Sequence, residues 1–534
     1  MNPASAIASM DPTAAKLQRW LSVILPAVLA AAYLAARSQF WQVIPVYDSR
    51  WNYEALLAAK QAPFDLLNYT VDGHLSQGYM LLMGAGFGAY GTNYFLFNLW
   101  VTAWSLITIS IFQRLAKRLA NSNQSPLETV LLAALFAFHP TVFANALGAN
   151  FDLGVLAFSL ATLLALLRNE RWLATALALL LAFTKETSFA ILPILFAFIA
   201  IRQPAGMRRA WVRTNLPVLI LPAIAILWFL VYKTVVRAEP PFWLYYNNAS
   251  PAAGQSSSTS VSASIVNFLG LIFILNFNWI LTAILGSSWA ALLMKSRIAK
   301  NGAALASAGP LMLLLLASTA ALLLVRPYSN PRYVMLLVPL MLLASAAALE
   351  TLVPHSTVRS ILYAALLALF AWQNVRTIDP ASRAFFGTIP FGSHQLLNMT
   401  ARTGECCGYG LDQLAYNTEF TRIPRLLQLA INDLKFEATT TISMPQRGQR
   451  MLFSAIDSET SEMTLNPANS FTPAYREIDQ ILSAEDPPTT LFYFSLPNFD
   501  NATNQTRLAQ LYGPSTPHVY TQAGYTLTVH HFQR

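Results

Sequence analysis

Residues 152–201 read DLGVLAFSLATLLALLRNERWLATALALLLAFTKETSFAILPILFAFIAI, three apolar runs separated by two short charged breaks, RNER at 168–171 and TKET at 184–187. Runs that are apolar on every face belong in lipid or in a large core, not on a wet surface. Breaks this short join antiparallel neighbours, so the stretch reads as helices passing back and forth through a bilayer. The pattern extends both ways along the chain. Apolar candidates lie near 20–37, 92–113, 127–147, 152–167, 172–184, 187–201, 215–232, 275–294, 303–325, 333–350 and 360–375, eleven in all. The 172–184 run is the weakest and is acceptable only as a pair with 187–201. Composition agrees: 55% of the 534 residues are hydrophobic, 11% are charged and the mean hydropathy is +0.44, against roughly 25% charged in soluble proteins. A soluble enzyme is excluded. Two cysteines exclude a disulfide-stapled scaffold, a Cys-rich zinc module and an iron–sulfur protein.

The charge of +9 divides unevenly. Residues 1–375 carry 23 Lys and Arg against 11 Asp and Glu, whereas residues 376–534 carry 11 against 14. The basic excess therefore belongs to the membrane part and speaks of loop orientation, with no nucleic-acid stripe. Loops 1–19, 114–126, 168–171, 202–213, 295–300 and 351–359 hold 15 Lys and Arg, and the opposite loops hold 7. The positive-inside rule then places the N-terminus in the cytoplasm. It also lays 75–91 on the surface, because a crossing there would turn Arg114, Lys117 and Arg118 outward. Residues 1–375 read as the transmembrane domain and 376–534 as a small extracytoplasmic α/β domain. In the latter, helix-like runs (425–434, 505–512) alternate with strand-like ones (490–496, 518–532). The first outer loop, 38–91, is expected to form short amphipathic helices lying on the interface. Residues 237–262, ending in the Ser-rich QSSSTSVSAS, read as a mobile loop.

Ionisable residues near a membrane surface are functional candidates when they point into the protein. Asp48, in VIPVYDSRWNYEALLAAK, is placed to act as a general base toward an acceptor hydroxyl or amine, or to cap a helix over 49–60. Glu54, six residues on, falls on a different face. Asp72 and His74 bracket Gly73 and suit a divalent metal, a substrate phosphate or a surface turn. Asp152 opens a span, where capping is the simple alternative. Lys185 and Glu186 read either as a self-neutralising pair or as a cation for an anion. Arg326 and Arg332 flank a Pro-rich outward turn, where headgroup contact is the bland reading. What these residues share is level: the topology brings five segments to the same outer side.

At these residues the sequence resembles the GT-C superfamily of integral-membrane glycosyltransferases, in the lineage of protein O-mannosyltransferases and aminoarabinose transferases. The likeness runs from residue 20 to about 375. Its carriers are Asp48 just past the first span, DGHLSQGYMLL at 72–82, HPTVFANALGANFDLGVLAF at 139–158, ALALLLAFTKETSFAILP at 176–193 and PRYVMLLVPLMLLAS at 331–345. The resemblance implies transfer of a sugar from a polyprenyl-phosphate donor at the outer face, by an inverting displacement. It makes Asp48 the base, puts Asp72, His74 and Glu54 on the acceptor side, and assigns the donor phosphate to Arg332, Lys185 and Arg326. A divalent metal, Mg or Mn, with Asp152 as a ligand, is within the family's range. The sequence departs from the family at Ser49, where many mannosyltransferases have Glu, and at Leu75-Ser76, which replace a Pro-Pro pair.

Partners implied are the lipid-linked donor, membrane lipids and an acceptor, in a bacterial inner (plasma) membrane. Two rival classes are a transporter, which calls for internal repeats and polar residues at mid-bilayer, and a non-catalytic envelope-assembly component. Cys406 and Cys407 are adjacent, as a vicinal disulfide or as thiols.

Overall fold

The computed structural model describes residues 12–43, 45, 48–59, 75–86, 91, 93–119, 124–238, 261–298, 303–325, 331–375, 381–382, 390–391, 394–395, 422–434, 436, 440–445, 452, 474–496, 502–522 and 525–534. Each of the eleven apolar candidates contains a helix. In chain order the helices are α1 (Pro12–Ser38), α2 (Asp48–Ala59), α3 (Gln77–Ala85), α4 (Tyr94–Leu119), α5 (Pro126–Ala137), α6 (Pro140–Asn145), α7 (Phe151–Leu167) and α8 (Arg171–Ala182). They continue with α9 (Ser188–Arg202), α10 (Arg208–Asn215), α11 (Pro217–Val231), α12 (Val261–Phe273), α13 (Asn278–Ile298), α14 (Ala303–Val325), α15 (Leu337–Leu352) and α16 (Ser356–Val375). Among the described residues, four helical stretches are long and apolar enough to cross a bilayer alone: Lys16–Ser38, Tyr94–Leu119, Ala205–Val236 and Asn278–Ile298. α7 and α15 are buried around nearly their whole circumference and form the middle of the bundle. On its outside, Ile224, Leu227, Trp228 and Leu324 are each more than half exposed. An apolar surface of that kind is suited to lipid hydrocarbon.

Within 75–86, α3 has nine residues, about 13 Å of helix at 1.5 Å per residue, too short to cross a bilayer. The helices of the first loop are packed against the bundle: Tyr53, Leu56, Met80 and Met83 join the main core. Two glycines permit this. A Cβ at Gly78 would lie 2.1 Å from the Leu180 carbonyl oxygen, and one at Gly154 would lie 2.6 Å from the Tyr79 ring. Small residues at these points let backbones approach closely, and the Gly78 amide donates to the Phe183 carbonyl at 2.7 Å. The mobile-loop reading of 237–262 also needs trimming, since α12 already begins at Val261; residues 239–260 lie outside the described residues.

At the opposite, basic end of the bundle, Ser125 and Glu128 form a reciprocal capping box that starts α5. Glu128 then receives Arg359 of α16 through two bonds, Nε to Oε1 at 2.5 Å and Nη2 to Oε2 at 3.1 Å. Both side chains are buried, at 0% and 1% exposure.

The C-terminal residues build a mixed five-stranded sheet in the order β4-β3-β5-β7-β6, preceded by a two-stranded ribbon, β1 (Pro390–Phe391) with β2 (His394–Gln395). The five strands are β3 (Thr441–Ser443), β4 (Ala474–Tyr475), β5 (Thr490–Ser495), β6 (Thr516–Gln522) and β7 (Tyr525–Gln533). β3 runs parallel to β4 and β5, and β7 is antiparallel to β5 and β6. Alternation along β5 divides the core. Phe492 and Phe494 pack with Leu426 and Leu427 of α17 (Arg422–Asp433), while Leu491 and Tyr493 pack with Ile478 and Ile481 of α18 (Ile478–Leu482) and Leu508 of α19 (Ala502–Tyr512). The run 518–532, expected as one strand, folds back on itself: its register pairs Gln522 with Tyr525.

Candidate active site

The break between α8 and α9 is built so that Lys185 leaves the helix. α8 ends at Ala182; Thr184 Oγ1 donates to the Leu180 carbonyl at 2.6 Å, the Phe183 carbonyl is taken by Gly78, and helix resumes at Ser188. Lys185 Nζ then lies 2.6 Å from Asp152 Oδ1, in the first turn of α7. The N-cap position of α7 belongs to Asn150, so the carboxylate of Asp152 serves an ion pair and not a cap. On its other oxygen, Arg332 Nε approaches Oδ2 at 3.6 Å. Arg332 belongs to a 3₁₀ turn, Pro331–Val334, whose next residue lines the site. Lys185 Nζ sits 4.1 Å from the Tyr333 ring centroid and Arg332 Cζ 5.2 Å from it, and Arg332 Nη2 donates to the Tyr333 hydroxyl at 3.3 Å. Two cations thus share one carboxylate and one aromatic face. The three ionic side chains keep 11–17% exposure.

Glu186 corrects one expectation. It does not neutralise its neighbour by a direct bond of its own: Lys185 bonds to Asp152, while Glu186 Oε1 accepts the Leu75 amide at 3.1 Å. That bond brings the residue after His74 to the break. Asp72, His74, Arg326, Cys406 and Cys407 themselves lie outside the described residues. Asp48 opens α2, one residue before the expected start. Its successor Ser49 accepts the Ala149 amide at 3.1 Å, three residues before Asp152. Glu54 is held by Arg50, Nε to Oε1 at 2.9 Å, on α2. Asp152, Lys185 and Arg332 therefore meet directly, while the residues after Asp48 and His74 bond to Ala149 and Glu186, in the segments on either flank of that cluster.

Among the described residues, no three His, Cys, Asp or Glu side chains gather in a metal-binding group. Asp152 does not fit the ligand role: its two oxygens face Lys185 and Arg332, and a divalent cation there would meet two positive charges. Sequence reasoning missed Tyr333, Ser49, Asn52 and Arg37. The Arg-Tyr pair was a visible signal for Tyr333; the other three carry no local signature, because their partners are backbone groups roughly a hundred residues away.

No protein-family model and no curated protein matches the sequence. Solved structures do. ArnT from Cupriavidus metallidurans in the apo state superposes with TM-score 0.56 at 16% identity, over 94% of this chain and 97% of that one. The same protein bound to undecaprenyl phosphate gives 0.54 at 14%, with the same coverage. The oligosaccharyltransferase of Archaeoglobus fulgidus, in complex with zinc and sulfate, reaches only 0.45 at 11%, over 94% of this chain and 72% of that one, a likeness too low to argue from. The chain therefore shares the fold of ArnT along nearly its whole length, in keeping with the aminoarabinose-transferase resemblance that its motifs carry.

Proposed function

We propose that the protein is an inverting glycosyltransferase that moves a sugar from a polyprenyl-phosphate donor to an acceptor hydroxyl or amine at the outer face of the membrane. The observation that carries this reading is the Asp152–Lys185–Arg332–Tyr333 cluster, with the segments of Asp48 and His74 bonded to its flanks. Asp48 removes the acceptor proton as the acceptor attacks the anomeric carbon. The bond from that carbon to the phosphate oxygen breaks, and the leaving phosphate gains charge beside Lys185 and Arg332. Asp72, His74 and Glu54 stand on the acceptor side, and Arg326 assists from the far side of its turn. The ArnT structure with undecaprenyl phosphate supports the lipid class. In this reading eleven spans leave the N-terminus cytoplasmic and residues 376–534 extracytoplasmic, in a bacterial inner membrane.

The test is Asp48→Asn in purified, membrane-reconstituted protein with a labelled polyprenyl-phosphate sugar. The amide keeps much of the geometry at the start of α2 but takes no proton. Transfer should fall below detection with an unchanged thermal midpoint. Near wild-type turnover would remove Asp48 from the reaction.

A further inference from the structure

Ala149, fully buried in the loop between α6 and α7, is gripped on both of its backbone polar groups. Its amide donates to Ser49 Oγ at 3.1 Å, and its carbonyl accepts from Asn52 Nδ2. Ser49 and Asn52 both belong to α2, next to Asp48 and one turn beyond it, and are 7% and 1% exposed. The rest of the loop is fixed from elsewhere. Arg37 of α1, 1% exposed, donates to the carbonyls of Phe143 (3.3 Å) and Ala146. Its guanidinium lies 5.9 and 5.7 Å from the rings of Tyr33 and Phe143. Asn150 Nδ2 donates back to the Asn145 carbonyl at 3.2 Å. The loop is therefore anchored to α1 and α6, and among the described residues the Ser49 and Asn52 bonds tie the start of α2 to Ala149.

We infer that Ser49 and Asn52 are positioning residues that set the Asp48 end of α2 against the Lys185–Arg332 cation pair. The inference rests on the transfer reading above. Asp152 lies three positions beyond Ala149 and its carboxylate holds Lys185 and faces Arg332, so one hydrogen-bonded residue links the proton-accepting segment to the phosphate-binding one. In this burial no water replaces a lost bond, so opening the clamp strands the Ala149 amide or carbonyl and α2 shifts to relieve it. A Cβ at Gly148 would lie 3.2 Å from Ser49 Cβ and 3.3 Å from its hydroxyl, so the glycine leaves the room in which the Ser49 side chain reaches Ala149. Position 49 here is a backbone acceptor, not a second acid. Transfer couples deprotonation at one end to charge build-up at the other, and an ångström of misplacement costs up to about a hundredfold.

The experiment compares the full-length Ser49→Ala, Asn52→Ala and Lys185→Ala proteins with wild type. It reads hydrogen exchange over 48–59 and 146–152, binding of polyprenyl phosphate, and kcat and KM for a polyprenyl-phosphate sugar. Both clamp variants should exchange faster in both segments and lose about ten- to a hundredfold in kcat, with KM and polyprenyl-phosphate binding within threefold of wild type. Lys185→Ala should show a different pattern: weaker polyprenyl-phosphate binding and higher KM together with lower kcat, and unchanged exchange over 48–59. The proposal is overturned by unchanged exchange in the clamp variants, by kcat within twofold of wild type, or by binding that falls in step with kcat. If wild type turns over no polyprenyl-phosphate sugar while the clamp variants still lose protection, the transferase reading fails and the clamp remains.

Discussion

Two ion-pair sites stand at opposite ends of the helical bundle, and they are built differently. At the basic end, Glu128 and Arg359 meet one to one through two bonds, at 0% and 1% exposure, with further Arg359 bonds to the carbonyls of Val353 and Pro354. At the other end, one carboxylate, Asp152, is shared by Lys185 at 2.6 Å and Arg332 at 3.6 Å, and all three retain some exposure. At the first, the buried carboxylate has its guanidinium fork and the Ser125 amide, and α5 is fastened to α16. At the second, among the described residues, two cations meet one carboxylate, and all three side chains keep 11–17% exposure. A buried matched pair locks helices; under the proposed function the shared carboxylate holds its two cations for the donor phosphate.

The sharpest way to break the comparison is Arg359→Ala. It strands the buried Glu128 charge and should cost about 3–5 kcal/mol of stability, read as a large drop in thermal midpoint in detergent. The equivalent loss at the other end should act on chemistry. Arg332→Lys keeps the charge, but a lysine cannot face Asp152 and the Tyr333 hydroxyl while also gripping two phosphate oxygens. Transfer should fall about a hundredfold, roughly 3 kcal/mol in the barrier, with the thermal midpoint unchanged. If Arg332→Lys unfolds the protein, or Arg359→Ala leaves its stability intact, the division of labour between the two sites is wrong.

The smallest effect lies in the C-terminal sheet. The His531 ring stacks on Phe492, centroids 4.3 Å apart, and burial first, then His518, hold its pKa below the ordinary imidazole value. Folding favours the neutral ring. Its contribution is present above about pH 6.5 and is lost as pH falls from there toward the lower folded value. Proteolysis of the C-terminal residues should therefore speed up modestly on acidification in wild type relative to His531→Phe at the same pH. Identical rate ratios at pH 7.5 and 5.5 would remove His531 as the cause.

The helices were legible because each apolar run carries its own signal within 13 to 23 residues. The turn that carries Arg332 and the α8–α9 break were legible as charges at span ends. Their convergence followed from topology, since the basic loops decide which ends lie together. What stayed hidden depends on contacts that have no local pattern. Adjacency left open whether Lys185 pairs with Glu186 or holds another anion; the bond it makes goes to Asp152, across helices, and Glu186 accepts the Leu75 amide. The docking of α3 turned on Gly78 and Gly154, whose absent side chains say nothing until the facing backbone and ring are known. The hairpin within 518–532 hid for a simpler reason: Val, Thr and Tyr, all strand formers, stand on both sides of a short turn, so its two strands read as one.

The most direct test of the central claim is a structure of the reconstituted protein with polyprenyl phosphate bound. The account predicts the phosphate within hydrogen-bonding distance of Lys185 Nζ and the Arg332 guanidinium, beside the Tyr333 ring, with the Asp48 end of α2 facing it. A phosphate held at the Glu128–Arg359 end, or one that leaves both Lys185 and Arg332 untouched, would contradict it.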